Sequence, residues 1–302
     1  MGEAGEVGEV GDAGEERLDG GNASGSVVRI GDTVRKAWTA STPSVIAFVE
    51  ALRARGIDAP EPRGRDGTGR QVTEFVEGTL AIDAGPMGLD QMRRVGALVR
   101  DIHDASAAFV APAGAIWETA IAAPGDELVC HNDLAPWNLV VGERWVFIDW
   151  DAAAPSTRLW DLAYAAQTFA LGDPAEEPAV AAGRLGSFVD GYGASAALRA
   201  QLPRAMSDRV DAMYALLESS HRSGREPWAT MFVEGHGAHW AAVRDFVDRH
   251  RPLWSRALTP LTPGPSVPPS ARQEWRVWGA PHPHIVASRR MPRSRGRAIT
   301  GT

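Results

Sequence analysis

The chain has 302 residues, of which 44% are hydrophobic and 23% charged, a composition typical of a globular protein with ample chain for a core. Its single cysteine, Cys130, excludes an internal disulfide, and no apolar run approaches the ~20 residues that span a bilayer. The net charge of −7 disfavours a nucleic-acid-binding core, which is normally basic. We therefore expect a cytoplasmic protein without a membrane partner, whose acidic N-terminal segment is not a secretory signal.

The two ends of the chain have compositions that are unsuited to packing. Residues 1–17 run through acidic, glycine-rich triplets, and residues 259–302 combine closely spaced prolines with arginines. Such segments do not bury enough apolar surface to offset the entropy of ordering. We predict a disordered acidic tail over 1–17 and a disordered Pro/Arg-rich tail over 259–302. A basic tail that touches nucleic acid or a membrane surface is the less favoured alternative.

Strand patterns come first along the chain. Two β-branched runs, Val27–Ile30 and Thr33–Lys36, predict a hairpin with its turn at Gly31. Apolar residues then recur at helical spacing over Val45–Leu52, and Gly56 stands where the helix would end. The front of the chain is therefore predicted to be a small sheet with one helix.

From Asp90 onward the pattern changes to long helices. Apolar residues keep helical spacing over Met92–Ile102 and again over Met206–Leu217. A β-rich front followed by a helical back is typical of two lobes. We predict an α+β fold, with a small N-terminal lobe over 18–78 and a larger, mainly helical lobe over 79–258.

The stretch VCHNDLAPWNLVV, residues 129–141, concentrates polar side chains between two apolar runs. The chain contains three asparagines, and two of them, Asn132 and Asn138, lie here. His131, Asp133 and Asn138 form the pattern H-x-D-x-x-x-x-N. A tightly hydrogen-bonded turn would explain such a cluster structurally, but the residues that follow favour a site.

Asp149 follows an apolar strand and stands eleven residues after Asn138. Mg²⁺ prefers carboxylate and amide oxygens together with phosphate oxygens, so Asn138 and Asp149 are candidate metal ligands. Asp133 is then left to accept a hydrogen bond from an incoming hydroxyl and to take its proton. The spacing therefore points to phosphoryl transfer.

The motifs HNDLAPWN and IDWD resemble the catalytic loop and the metal-binding aspartate of the protein-kinase-like superfamily. They look most like the aminoglycoside phosphotransferase and choline kinase family, which has Ile-Asp-Trp or Ile-Asp-Phe where protein kinases have Asp-Phe-Gly. The resemblance continues in TRLWDLAYAA, in the glycine-rich LDGGNASGSVVRIGDTVRK and in VTEFVEG. It spans Leu18 to Gln167, about half of the chain.

This resemblance implies a two-lobed, protein-kinase-like fold and an ATP-dependent phosphotransferase that uses Mg²⁺. The γ-phosphoryl group would pass to a hydroxyl of a small molecule, such as an aminoglycoside or an amino alcohol. Asp133 would be catalytic, His131 and Asp161 would support the loop, and Asn138 and Asp149 would hold the metal. The lobe 18–78 would bind nucleotide, and the lobe 79–258 would carry catalysis and acceptor binding.

Two other functions remain open at this point. A catalytically silent nucleotide-binding regulator of the same fold is the first alternative. The presence of Asp133, Asn138 and Asp149 together argues against it, because a non-catalytic binder need not keep all three. A kinase that acts on a protein side chain is disfavoured, because no long activation segment separates IDWD from WDLAYAA.

The resemblance also implies contacts between the nucleotide and three parts of the small lobe: a glycine-rich loop, a strand cation and the hinge. The residues at these positions are Gly21, Gly25, Arg35, Lys36, Glu74, Phe75 and Val76. Lys36, the only lysine in the chain, is preferred to Arg35 as the cation. Kinases usually hold this cation with a glutamate on the next helix, but here an apolar residue near Val45 takes that place and Glu50 lies more than a turn later.

No motif identifies the acceptor. Asp208, Asp211 and Glu218 would suit a cationic acceptor, although a solvated helix face explains them equally well. Trp117 and Trp137 are close to the site in sequence and are candidate residues of an acceptor pocket.

Overall fold

The structure is a computed structural model that describes residues 14–18 and 27–259, all within one compact unit. Most of the two predicted tails lies outside these residues, as do Gly21 and Gly25. The strands are β1 Glu16–Arg17, β2 Val28–Ile30, β3 Thr33–Lys36, β4 Pro62–Arg65, β5 Gln71–Glu74, β6 Thr79–Leu80, β7 Leu128–Cys130, β8 Leu139–Val141, β9 Trp145–Phe147 and β10 Ala154–Ser156. The α-helices are α1 Thr42–Arg53, α2 Leu89–Ser106, α3 Arg158–Ala170, α4 Pro178–Tyr192, α5 Ala196–Ser223, α6 Trp228–Met231, α7 Gly237–Arg249 and α8 Arg251–Leu258.

A five-stranded antiparallel sheet, with strand order β1-β2-β3-β5-β4, forms the N-terminal part. The predicted hairpin is confirmed, since β2 pairs with β3 and Gly31 takes a φ of +59° in the turn. The prediction of disorder was wrong for Glu16 and Arg17, which pair with Arg29 and Val28. Strand pairing uses backbone groups, so an acidic composition does not prevent a short edge strand.

The helices bury the apolar stripes that their sequences predict. Along α1 the stripe includes Val45, Phe48, Val49 and Leu52, all of them buried, and Gly56 has the positive φ of a residue beyond a helix end. The stripe of α2 contributes to the same core as α3, α4 and α5. Among the described helices, none combines the length and the apolar character that crossing a bilayer requires. The α+β prediction, a small antiparallel sheet followed by a larger helical part, is confirmed.

Two small sheets position the polar segment 131–138. Strand β7 leads into it and pairs with β10, while β8 leads out of it and lies between β6 and β9. Because β9 is antiparallel to β8, the chain returns to the segment and places Asp149 beside it. The N–H of Ile148 donates to the carbonyl oxygen of Asn138 at 2.8 Å, which fixes this approach.

Helices α2 and α4 approach each other closely at two glycines. A methyl group at Gly96 would collide with the carbonyl oxygen of Phe188, and one at Gly191 would collide with the carbonyl oxygen of Arg93. The absence of a side chain at both positions therefore lets the two backbones come into contact. This contact holds α2 against the helices that support the polar segment.

Replacing Gly96 with alanine should lower the free energy of unfolding by about 3 kcal/mol, because the added methyl group meets backbone rather than a flexible side chain. Gly183 is the matched control, since it is a helical glycine of α4 with nothing within 4 Å of its Cβ position. Gly183→Ala should be neutral or stabilising by up to about 1 kcal/mol. Urea unfolding compares the two variants, and equal effects would contradict a tight α2–α4 contact.

Candidate active site

Asp133 and Asn138 are brought together by the turn between β7 and β8. Residues 136–138 form one 3-10 turn, and the N–H of Asn138 donates to the carbonyl oxygen of Ala135 at 2.9 Å. The side-chain Nδ2 of Asn138 donates to Asp133 Oδ2 at 2.8 Å and to the Asp133 carbonyl oxygen at 2.9 Å. This leaves the amide oxygen of Asn138 as the group that can face a cation.

His131 ties this loop to the residue before Asp149. Its Nδ1 accepts from the N–H of Asp133 at 3.3 Å, so its Nε2 carries the proton and donates to the carbonyl oxygen of Ile148 at 3.1 Å. Burial lowers the pKa of His131, and its ring contacts Trp150 at 4.5 Å between centroids. These contacts fit the predicted supporting role better than proton transfer.

Asp149 stands directly after β9 with a left-handed φ of +58°, a conformation that is uncommon for a residue other than glycine. Its Oδ1 lies 2.9 Å from Lys36 Nζ, and the charge of Lys36 lowers the pKa of Asp149. The carboxylate is therefore ionised at neutral pH, as a magnesium ligand must be. Strand β3 and the segment after β9 thus meet at one ion pair.

Lys36, and not Arg35, points into this site. Alternation along β3 sends the two side chains to opposite faces of the sheet, and Arg35 Nε lies 3.5 Å from Asp66. Burial of Lys36 opposes its charge, but the carboxylates of Asp149 and Asp151 more than offset this and raise its pKa. Of the two candidates that the sequence left open, Lys36 is the one that the structure brings to Asp149.

The three predicted hinge residues are placed at the end of β5 and beyond it. The carboxylate of Glu74 pairs with Arg144, away from Lys36, and its N–H donates to the Glu61 carbonyl oxygen. The N–H of Phe75 donates to the Asp32 carbonyl oxygen at 2.8 Å. Of the three residues, Val76 is therefore the one whose backbone N–H makes neither of these bonds, and the contact of this segment with a nucleotide stays a prediction.

The carboxyl group of Asp133 lies in a largely enclosed environment. Burial and the nearby charge of Asp149 raise its pKa to about 6, although hydrogen bonds from Tyr164 and Asn138 favour its charged form. Arg209 of α5 supplies the nearest counter-charge from the helical part, with its guanidinium carbon 4.1 Å from the Tyr164 ring centroid. The sequence did not identify Tyr164 or Arg209, because they come from α3 and α5 and meet the loop only in the folded chain.

A buried relay of hydrogen bonds supports the loop from behind. Asp161 Oδ1 accepts from the N–H of Asn132 at 2.8 Å, and Asp161 Oδ2 accepts from His103 Nε2 at 3.0 Å. His103 Nδ1 then accepts from the Tyr192 hydroxyl at 2.9 Å. Asn132 has a φ of +64°, so the relay holds a strained residue directly before Asp133.

The relay extends what the sequence predicted of Asp161. Asp161 was expected to support the loop, and its bond to the Asn132 N–H has that geometry. His103 was not identified from the sequence, although its position indicates a buried polar contact. It lies four residues after Val99 on the buried stripe of α2, where a histidine needs a polar partner.

The structure places the acids and tryptophans considered for acceptor binding in different surroundings. Asp208 pairs with Arg204, Glu218 lies near Arg222, and Asp211 is largely exposed. Trp117 packs against Phe48 instead, with ring centroids 6.5 Å apart. Trp137 lines a cavity of about 400 Å³ that the helical part encloses.

Comparisons with known proteins bear on the family and the fold. A model of the phosphotransferase enzyme family matches residues 114–200, which include the polar loop and Asp149. The trifolitoxin immunity protein of Rhizobium leguminosarum bv. trifolii is 31% identical over 146 residues, 46% of this chain and 55% of that protein. The chain thus spans about half the length of this curated relative.

Three solved structures share the fold at low sequence identity. The microcompartment-associated aminopropanol kinase has a TM-score of 0.57 at 18% identity, covering 82% of this chain and 95% of its own. The amicoumacin kinase hAmiN, solved with AMP-PNP and Ca²⁺, has a TM-score of 0.57 at 14% identity and coverages of 78% and 88%. A choline/ethanolamine kinase family protein from Mesorhizobium loti has a TM-score of 0.52 at 18% identity and coverages of 82% and 94%.

These findings agree with the motifs. The chain has the two-lobed, protein-kinase-like fold of the small-molecule kinases, and its resemblance to the aminoglycoside phosphotransferase family is confirmed.

Replacing His103 with leucine should lower the free energy of unfolding by about 3 kcal/mol, because the buried Asp161 carboxylate loses a donor. His103→Gln is the matched control, since its amide N–H can still reach Asp161, and its loss should be clearly smaller. Urea unfolding measures both variants. If the two variants lose the same free energy of unfolding, the bond to Asp161 is not the source of the stability that His103 provides.

Proposed function

We propose that the protein is an ATP-dependent phosphotransferase that moves the γ-phosphoryl group to a hydroxyl of a small molecule. The observation that carries the proposal is a continuous series of contacts. It joins Lys36, Asp149, Asn138 and Asp133. Lys36 bonds Asp149 at 2.9 Å, the residue before Asp149 bonds Asn138 at 2.8 Å, and Asn138 bonds Asp133 at 2.8 Å. A cation, a carboxylate, an amide and a base are thereby held close to one another.

The donor set fits Mg²⁺. The amide oxygen of Asn138 is left over by the bonds that its Nδ2 makes, and the lowered pKa of Asp149 keeps that carboxylate charged. One carboxylate and one amide, completed by phosphate and water oxygens, is the coordination that this ion prefers. When bound, Mg²⁺ would neutralise charge on the β- and γ-phosphate oxygens.

The chain's own residues would supply binding, orientation and proton acceptance. Lys36 would contact phosphate oxygens, and Asp133 would accept the hydrogen bond of the acceptor hydroxyl. As the acceptor oxygen bonds to the γ-phosphorus, the bond from that phosphorus to the leaving ADP oxygen breaks and the hydroxyl proton passes to Asp133. His131 would keep the backbone of Asp133 in place through the 3.3 Å bond to its N–H.

The acceptor would bind in the cavity of about 400 Å³, a volume within the range of small-molecule sites. Trp137 and Trp240 line this cavity. Tyr164 contacts both of their rings, at 6.4 Å between centroids in each case, and also hydrogen bonds Asp133. Tyr164 therefore connects the proposed base to the two tryptophans that line the cavity.

The charges of the cavity favour an acceptor with an ammonium group. Glu176 is neutralised by its ion pair with Arg184, and burial lowers the pKa of His239, which leaves that ring largely neutral at pH 7. Asp173 then remains as the net negative charge among the lining residues. A carboxylate and two indole rings that line the same cavity are favourable partners for a cation. We infer an amino alcohol or an amino sugar as the acceptor.

The direct test is turnover of Mg-ATP with a panel of acceptors. The panel should contain amino alcohols, aminoglycosides and nucleosides, and also trifolitoxin, because one relative is an immunity protein against it. Acceptor-dependent release of ADP supports a phosphotransferase. Nucleotide binding without turnover on any acceptor would favour the catalytically silent regulator instead.

Asp133→Asn should lower kcat by about two to four powers of ten, because it removes the proton acceptor while keeping the shape of the side chain. Affinity for Mg-AMP-PNP should change little, since the nucleotide would contact Lys36, Asn138 and Asp149. Steady-state ADP release with acceptor present, together with a nucleotide titration, separates the two effects. Turnover that survives the substitution would remove Asp133 from the mechanism.

Asp173→Asn should raise KM for a cationic acceptor about fivefold and leave kcat nearly unchanged, because an exposed charge pair contributes modestly to binding. Asp208→Asn is the control, since Asp208 is also an acid of the helical part but pairs with Arg204 outside the cavity. Initial rates over a range of acceptor concentrations measure both. A larger effect from Asp208→Asn would place the acceptor elsewhere.

A further inference from the structure

Lys36 is a buried cation whose counter-ion does not come from the helix that follows its strand. Its side chain is 10% exposed, so its charge needs a close partner. Helix α1 has one acid, Glu50, and that residue lies on the exposed side of the helix. Val45, near the place where kinases have a glutamate, is 3% exposed and faces the same small cavity as Lys36. The counter-charge of Lys36 must therefore come from another segment of the chain.

The segment after β9 supplies two carboxylates. Lys36 Nζ lies 2.9 Å from Asp149 Oδ1 and 2.6 Å from Asp151 Oδ1. Asp151 belongs to the 3-10 turn Trp150–Ala152. Two carboxylates of this one segment, in the larger part of the fold, thus share the single ammonium of Lys36 at the end of β3.

The position of Asp151 is fixed by core packing. The Trp150 ring beside it is buried, and its Nε1 donates to the Phe147 carbonyl oxygen at 3.0 Å. The same ring contacts Phe48 of α1, with centroids 5.8 Å apart. The turn that carries Asp151 is therefore anchored against the helix that lacks the glutamate.

The two carboxylates are not equivalent once a metal ion is considered. Asp149 is the proposed magnesium ligand, and a carboxylate that coordinates a divalent cation has less negative charge to offer an ammonium. Asp151 makes the shorter contact with Lys36 and would remain as its main counter-ion. An ammonium so held is limited to positions close to Asp149, where the phosphates would lie.

We propose that Asp151 is a positioning residue that holds Lys36 toward the nucleotide phosphates, in the place of the helix glutamate. The inference rests on the proposed role of Lys36 as a phosphate ligand. In this role Asp151 would act through Lys36 and not as a ligand of the nucleotide. The ion pair that organises the phosphate site is then formed with the segment after β9, and not between β3 and α1.

The test is titration of the full-length protein with AMP-PNP at saturating Mg²⁺. Asp151→Asn should raise the dissociation constant about tenfold, which corresponds to the loss of one charge-assisted hydrogen bond. Asp151→Glu, which keeps the charge, should recover most of the affinity. Glu50→Gln is the matched control on α1 and should leave the affinity unchanged within about twofold. Wild-type affinity in Asp151→Asn would overturn the proposal.

A double variant separates positioning from direct metal binding. If Asp151 acts through Lys36, adding Asp151→Asn to Lys36→Met should weaken nucleotide binding no further than Lys36→Met alone. An additional loss in that background, or a higher Mg²⁺ concentration for half-maximal binding, would make Asp151 a metal ligand and overturn the proposal. The comparison holds even if Asp151→Asn alone does not fold, because the double variant removes both charges of the buried pair.

These binding readouts distinguish this inference from the proposed function. Nucleotide binding with the expected coupling, but without turnover on any acceptor, would contradict the phosphotransferase and leave the role of Asp151 supported. A wild-type protein that bound no nucleotide would overturn both.

Discussion

The geometry of the candidate site depends on one buried carboxylate, Asp161. It accepts hydrogen bonds from the Asn132 N–H and from His103, and the side chains of His103 and Asp161 are fully buried. Asn132 has a left-handed φ, a conformation that costs free energy unless its surroundings hold it. The bond from its N–H to Asp161 helps to hold it, together with bonds from its Nδ2 to the carbonyl oxygens of Ala152 and Ala154. Because Asn132 directly precedes Asp133, this support helps to fix the backbone of the proposed base.

Charge balance explains the remaining arrangement of the site. Asp133, Asp149, Asp151 and Asp161 bring four carboxylates to a small region, and among the described residues Lys36 and Arg209 approach them with positive charge from a buried position. Burial and the charge of Asp149 raise the pKa of Asp133, whereas the Lys36 contact lowers that of Asp149. The same excess of negative charge favours a divalent cation, so the proposed metal site follows from the local electrostatics as well as from the donor set.

Residues of the helical part support the polar segment 131–138 and line the cavity. Close backbone contact at Gly96 and Gly191 holds α2 against α4, and this contact aligns His103 with Tyr192 behind the loop. Tyr164 contacts the rings of Trp137 and Trp240, which line the cavity. The support of the loop and the proposed binding of an acceptor would thus involve different residues of the helical part.

The sequence by itself determined the local elements and the order of the motifs. Hairpin β2–β3, the buried stripe of α1 and the spacing of Asp133, Asn138 and Asp149 could be predicted, because each depends on residues that are near one another in the chain. The sequence also favoured Lys36 over Arg35, but the direction of the two side chains, the pairing of Lys36 with Asp151 and the support of Asp161 by His103 could not be predicted. Each of these joins segments 58 or more residues apart or depends on which face of a strand points inward. Only tertiary packing brings such groups within hydrogen-bonding distance, since no local pattern encodes the direction of a side chain relative to a distant element.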